Sequence, residues 1–201
     1  MLNIPAIAAD PAQLPAALER NVLMTGQLRN RITPNGIIGA RIAANDHYQA
    51  IDAAGNAVPV FNLFSDGGAP HDSLRAYICN YAARQTHSVY VGSLAQFMFT
   101  TTMNGCTLGV GPLLSDGTHR VAHSNVGGQS GAQRQSIGTL MGRPNLSGVR
   151  LMEPQLYRRG AANTNATTFG IRENGAWRFF FQLYEMLGNG VIRLHGVFPV
   201  P

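Results

Sequence analysis

The sequence predicts an α+β protein: a mixed β-sandwich of about ten strands with two or more helices packed outside. Two patterns carry that prediction. Short runs rich in β-branched and aromatic residues recur along the chain, closed by turn residues such as Gly55-Asn56, Asn104-Gly105 and Ser115-Asp-Gly. Helix starts are few, and the clearest are Asp10-Pro11 and Asp72. A chain of 201 residues that is 45% hydrophobic is long enough for one domain, over 1–201, with a real core. No internal repeat or linker interrupts it.

Taken in order, Asp10 caps and Pro11 opens a helix predicted over 11–23. Runs at 36–45, 47–53 and 57–64 read as strands separated by Asn-Asp and Gly-Asn turns. Asp72 caps a second helix, with Leu74, Tyr77, Ile78 and Tyr81 at helical spacing on one face. Strands follow at 87–92, 96–103, 106–110 and 118–123. Residues 124–135, rich in Gly, Ser, Asn and Gln, read as a loop and as a candidate mobile wall for anything bound nearby. Further strands are predicted near 136–141, 147–152, 166–173, 176–186 and 190–198. The last two form a hairpin around Gly188-Asn189-Gly190.

Composition narrows the function. Charged residues are 12% of the chain, about half the usual share. No run approaches the length of a membrane span, and residues 1–21 lack the basic start and continuous apolar stretch of a signal peptide. Two cysteines make no disulfide scaffold, which favours synthesis in a reducing compartment. All 15 basic residues are arginine, while Asn, whose codons are as A-rich as those of lysine, occurs 15 times. Codon bias and avoidance of lysine both account for this. Avoidance would suit a protein delivered into eukaryotic cytosol, because it leaves no side-chain amine for ubiquitin. Residues 120–201 carry nine Arg against three acids, net +6, and residues 1–119 carry net −1. The arginines are scattered singly apart from Arg158-Arg159, so nucleic acid ranks low, an acidic protein partner fits at least as well, and ordinary solvated arginine is the default. With no Cys/His pairs at zinc spacing and no lysine for a phosphate loop, neither a metal nor a cofactor is expected.

The chemistry concentrates between Thr100 and His123. Residues 97–103, Phe-Met-Phe-Thr-Thr-Thr-Met, read as a strand that ends at Asn104-Gly105, so Cys106 falls on a corner. His119-Arg-Val-Ala-His123 is a strand close behind. Neighbouring strands can bring Thr100, Cys106 and His123 to one sheet end, on a surface corner. A thiol beside an imidazole, with a third group orienting the ring, is what nucleophilic catalysis needs. Cys106 is otherwise a small core hydrophobe, the common fate of an unpaired cysteine. Residues 119, 121 and 123 share one strand face, so geometry alone permits His119 or His123 as base. Cys79 reads as core, with a Cys79–Cys106 disulfide as the arrangement that would exclude catalysis. His47, His71, His87 and His195 share no short spacing.

At these residues the chain resembles the cysteine-histidine glutamine deamidase superfamily. That superfamily includes the catalytic domain of the cytotoxic necrotizing factors, the Burkholderia lethal factor and the chemoreceptor deamidase. Met103-Asn-Gly-Cys106 stands where the toxins carry Leu-Ser-Gly-Cys, and Thr100 lies six positions before the cysteine, as in the lethal factor and the chemotaxis enzyme. His123-Ser124 matches the toxins' histidine better than His119-Arg120 does. The similarity covers 96–125, and the Leu-Pro that follows the histidine in chemotaxis relatives is replaced by Ser124-Asn125-Val126.

The resemblance implies a necrotizing-factor-like catalytic domain, a Cys106 nucleophile, a His123 base and Thr100 as orienter through its hydroxyl or its carbonyl. Backbone amides at Asn104-Gly105 would hold the oxyanion. The implied reaction is conversion of a target protein's glutamine to glutamate, with transglutamination as a side activity. The target class would be a host translation factor or a Rho-family GTPase. The alternatives are a chemoreceptor-type deamidase and a non-catalytic β-sandwich binding module.

Overall fold

A computed structural model describes residues 2–30, 36–65, 73–127, 130–158 and 163–201. The chain begins with α1 (Ile4–Ala9), α2 (Gln13–Leu18), β1 (Val22–Met24) and a 3-10 turn (Gly26–Asn30). Strands β2 (Ile37–Ala44), β3 (Gln49–Ile51), β4 (Ala57–Val58), β5 (Val60–Phe64), β6 (Ser73–Cys79), β7 (Thr86–Val91), β8 (Phe97–Thr100), β9 (Thr107–Leu113) and β10 (His119–Ser124) follow. Then come α3 (Ser130–Leu140), β11 (Arg150–Met152), α4 (Pro154–Arg158), β12 (Thr164–Glu173), β13 (Ala176–Gly188) and β14 (Val191–Pro199).

Ten strands form one sheet in the order β1-β5-β2-β6-β8-β12-β13-β14-β3-β4, and four form a second, β11-β9-β10-β7. The large sheet curls until its ends meet. Val22 and Val60 from one end share an apolar cluster with Ala50 from the other end and with Tyr184, Ile192 and Leu194. The architecture is therefore mostly β, a nearly closed large sheet with a small sheet laid on it. The expected mixed β-sandwich of about ten strands with outer helices is met in its β-rich make-up, while the strands among the described residues number fourteen and the large sheet is nearly closed.

Alternation along the central strands builds a core on each side of the large sheet. Phe97, Phe99, Phe169, Ile171 and Phe180 point to one side, where Leu14 and Leu18 of α2 and Ile4 and Ile7 of α1 cover them. Met98, Phe179, Phe181 and Leu183 point to the other, against Leu108, Val110 and Val121 of the small sheet. The far face of the small sheet carries α3, close enough that a Cβ on Gly109 would stand 2.6 Å from Ile137.

Three sequence expectations change here. The helix predicted over 11–23 is shorter, and a separate α1 precedes it, capped by Asn3, whose side chain accepts from Ala6 N at 3.1 Å. Gln182 explains where α2 stops. Its amide donates to Leu18 O at 2.7 Å and Asn21 O at 2.6 Å and accepts from Leu23 N at 2.8 Å, turning the chain into β1. Thr167 holds Leu23 O at 2.7 Å from the same hairpin.

The helix predicted after Asp72 is instead strand β6, and Asp72 itself lies outside the described residues. β6 runs between both cores. Leu74, Ala76 and Ile78 face one and Tyr77 and Cys79 the other, so no polar face marks it as a strand. Finally, the strand predicted near 136–141 is the second half of α3, which also takes up 130–135 of the predicted loop. Its buried stripe is Gln133, Ile137 and Gly138, with a single large apolar residue, so helical periodicity is faint.

Candidate active site

Strand β8 ends at Thr100, and the chain leaves the large sheet through Met103, which is bridged to Ala166 by bonds of 2.8 and 3.0 Å. It then turns sharply at Asn104-Gly105 and enters β9. Gly105 has φ +90, a conformation costly for any residue with a Cβ. Three side chains from outside fasten this turn, and Thr107 steadies one of them. Tyr157 Oη accepts from Gly105 N at 2.7 Å and donates to Cys106 O at 2.9 Å. Gln133 Nε2 donates to Gly105 O at 2.9 Å, and Thr107 Oγ1 donates to Gln133 Oε1 at 2.5 Å. Arg158 Nη2 donates to Asn104 Oδ1 at 2.7 Å. Gly105 N–H is thus engaged by Tyr157 and is not directed at a substrate position.

Register decides which residues meet Cys106. His123 of β10 stands opposite Leu108 of β9, and Cys106 lies two residues before Leu108 on the same face. Cys106 and His123 are therefore diagonal neighbours, roughly 7 Å apart along the backbone. His119 is four residues along the strand, about 13 Å away. Its Nδ1 meets Gly111 O at 2.8 Å and its ring lies edge-on to Phe179. On the other side of His123, its directly paired residue on β7 is His87. His87 Nε2 is buried and has no hydrogen-bond partner among the described residues. The ring of Tyr81 lies 5.5 Å from that of His123, and Asn125 Nδ2 donates to Tyr81 Oη at 2.6 Å.

Thr100 faces this cluster from the large sheet. Its hydroxyl donates to Thr101 O at 3.1 Å and shares a short hydrogen bond with the hydroxyl of Thr168. The hydroxyl is thus committed within the large sheet, which leaves the backbone carbonyl as the route by which Thr100 would orient a ring.

Burial corrects the expected surface corner. Cys106 is 2% exposed and His123 1%, both inside the core between the two sheets. Cys79 is buried opposite them and both cysteines are free thiols. Its Sγ lies 3.6 Å from His87 O and Val121 O, and burial pushes this thiol up to about 12. Tyr157 is also raised above the ordinary phenol value, first by burial and then by the Cys106 charge beside it.

Two hollows have neither Cys106 nor His123 in their lining. A groove of about 750 Å³ is lined by Leu2, Ile42, Tyr48, Val58 and Phe61, and a hollow of about 610 Å³ by Ala83, Arg84, Asn125, Val126 and Gly127. Among the described residues no three His, Cys, Asp or Glu form a group able to ligate a metal.

Sequence reasoning missed Tyr157, Gln133, Arg158 and His87. The first three reach the turn from 28 to 54 residues away, and only strand register pairs His87 with His123.

No family model and no curated protein matches the chain. Among solved structures it is similar to the C-terminal domain of CNFy from Yersinia pseudotuberculosis. The match covers 98% of this chain and 99% of that chain, at 12% identity and a TM-score of 0.47. At that identity and score nothing about this chain's activity follows.

Proposed function

We propose that the protein is a bacterial toxin- or effector-type protein-glutamine deamidase working through Cys106 and His123. One observation carries the reading: the β9–β10 register makes these two residues diagonal neighbours on one face. His123 takes the thiol proton, and the thiolate attacks the carboxamide carbon of a substrate glutamine. The tetrahedral adduct collapses as His123 returns the proton to nitrogen and ammonia leaves. Water then cleaves the thioester, leaving glutamate and the free thiol. An amine in place of water gives transglutamination. One neutral side chain becomes one negative charge, enough to disable a regulatory or catalytic site in the target. The target is a protein with an acidic surface, of the host translation factor or Rho-family GTPase class.

The buried state of Cys106 sets a condition on this chemistry. Cys106 must become exposed before a glutamine can reach the thiol, and Gly105 N–H can serve an oxyanion only once Tyr157 releases it. The same burial favours a second reading, a non-catalytic binding module in which Cys106 is core.

Mass spectrometry of eukaryotic lysate treated with wild-type and Cys106→Ser protein tests the first. Glutamines converted to glutamate by the wild type alone support it, and their absence counts against it. Iodoacetamide separates the two readings. A nucleophile reacts at neutral pH far faster than Cys79, whereas equal sluggishness of both thiols favours the module.

A further inference from the structure

Arg158, the last residue of α4, lies across the turn that precedes Cys106. Its Nη2 donates to Asn104 Oδ1 at 2.7 Å. A Cβ on Gly105 would stand 2.9 Å from Nη2 and 3.4 Å from Cζ, so the guanidinium rests directly on the backbone next to Cys106. The phenol of Tyr157 feels the charges of both Cys106 and Arg158.

Nε and Nη2 form one edge of the guanidinium, two parallel donors suited to the two oxygens of a carboxylate. At present a single neutral amide oxygen occupies Nη2. Nε is buried and has no hydrogen-bond partner among the described residues. The described acids that pair with arginines are taken: Glu153 by Arg134, Glu173 by Arg178 and Glu185 by Arg193. Among the described residues none lies within salt-bridge distance of Arg158.

We propose that the Nε–Nη2 edge of Arg158 is a carboxylate subsite beside Cys106, taking an Asp or Glu side chain that flanks the target glutamine. This rests on Cys106 being the nucleophile. The incoming carboxylate displaces Asn104 Oδ1, supplies both donors with charged acceptors, and frees Asn104 from its tether. Recognition of the acidic neighbour is thereby coupled to release of the turn that leads into Cys106. A glutamine without such a neighbour leaves the turn fastened, so the subsite sets specificity as well as affinity.

Two alkylating agents that differ in charge test this without a known substrate. Iodoacetate carries the carboxylate and iodoacetamide does not. The rate of each at Cys106 is read by peptide mass spectrometry, with Cys79 as the internal reference, in the wild type, Arg158→Gln and Arg158→Lys. The iodoacetate-to-iodoacetamide ratio is expected to fall about three- to tenfold in Arg158→Gln. It should fall by less in Arg158→Lys, which keeps the charge but lacks the two-donor edge, and shrink in the wild type as salt is raised to about 0.5 M. An unchanged ratio in Arg158→Gln overturns the subsite and leaves the nucleophile standing. An equal fall in both variants assigns the effect to packing and also overturns it. A wild-type Cys106 that resists both reagents removes the nucleophile, and the subsite with it.

Discussion

Removing one oxygen from Tyr157 is the sharpest test of how the Cys106 turn is held. The ring is fully buried, and its hydroxyl alone both accepts from Gly105 N and donates to Cys106 O. Tyr157→Phe keeps the ring and its packing and deprives both backbone groups of their partner. A buried group left unsatisfied costs about 1–3 kcal/mol, and part of this is offset because the hydroxyl no longer needs desolvating. The expected loss is about 2–4 kcal/mol, measured from urea unfolding curves with unchanged slope. A second readout follows from position. With Gly105 and Cys106 unfastened, native-state alkylation of Cys106 should accelerate several-fold relative to Cys79. A loss under about 0.5 kcal/mol with unaltered labelling would refute the idea that Tyr157 holds the turn. Lost stability with an unaltered labelling ratio would make it an ordinary core residue.

Two further outcomes follow from buried groups elsewhere. The Cys79 thiol, raised from 9.0 to about 12 by burial, keeps its proton in the folded chain where the unfolded chain loses it. Its contribution is therefore whole below about pH 9 and is lost as pH climbs toward about 12, by about 1.4 kcal/mol per unit. Cys79→Ala should show a shallower alkaline decline in urea-derived stability across that window, and parallel declines would refute the burial argument. Gly109→Ala would set a methyl 2.6 Å from Ile137 Cγ2 and 3.3 Å from Met141 Cε. The shift of α3 should cost about 1–3 kcal/mol in thermal unfolding. An unchanged melting temperature would mean that α3 does not pack on β9.

What the sequence made legible is what local pattern encodes. The C-terminal hairpin was readable because alternation on both strands flanks Gly188-Asn189-Gly190, all three at positive φ. The strands near 36–45, 87–92 and 119–123 were readable for the same reason. β6 was not, because a strand between two cores loses its polar face and Leu74, Tyr77 and Ile78 then mimic a helical stripe. α3 was not, because its face on the sheet is built around Gln133, whose role is to bond Gly105 and Thr107. Around the candidate site, spacing marked Cys106 and His123 but carried no information about depth. Whether a corner is open depends on what distant segments lay over it, here Tyr157 and Arg158. His87 has no signature of its own, since only register sets it beside His123.

The Gln182 clasp has a consequence for how the chain assembles. Leu18, Asn21 and Leu23 are bonded by a residue 159 to 164 positions later, and Leu23 again by Thr167, 144 positions later. Closing a loop that long costs entropy that only the finished β12–β13 hairpin repays. During synthesis the opening segment, with Leu14, Leu18 and Leu23 destined for the core, stays without its anchor until the hairpin has been made. A segment made well before the hairpin is then among the last to settle, and the Leu23 amide proton becomes a reporter of the hairpin's integrity. Its exchange with solvent should follow the opening of β12–β13 rather than of the neighbouring helices.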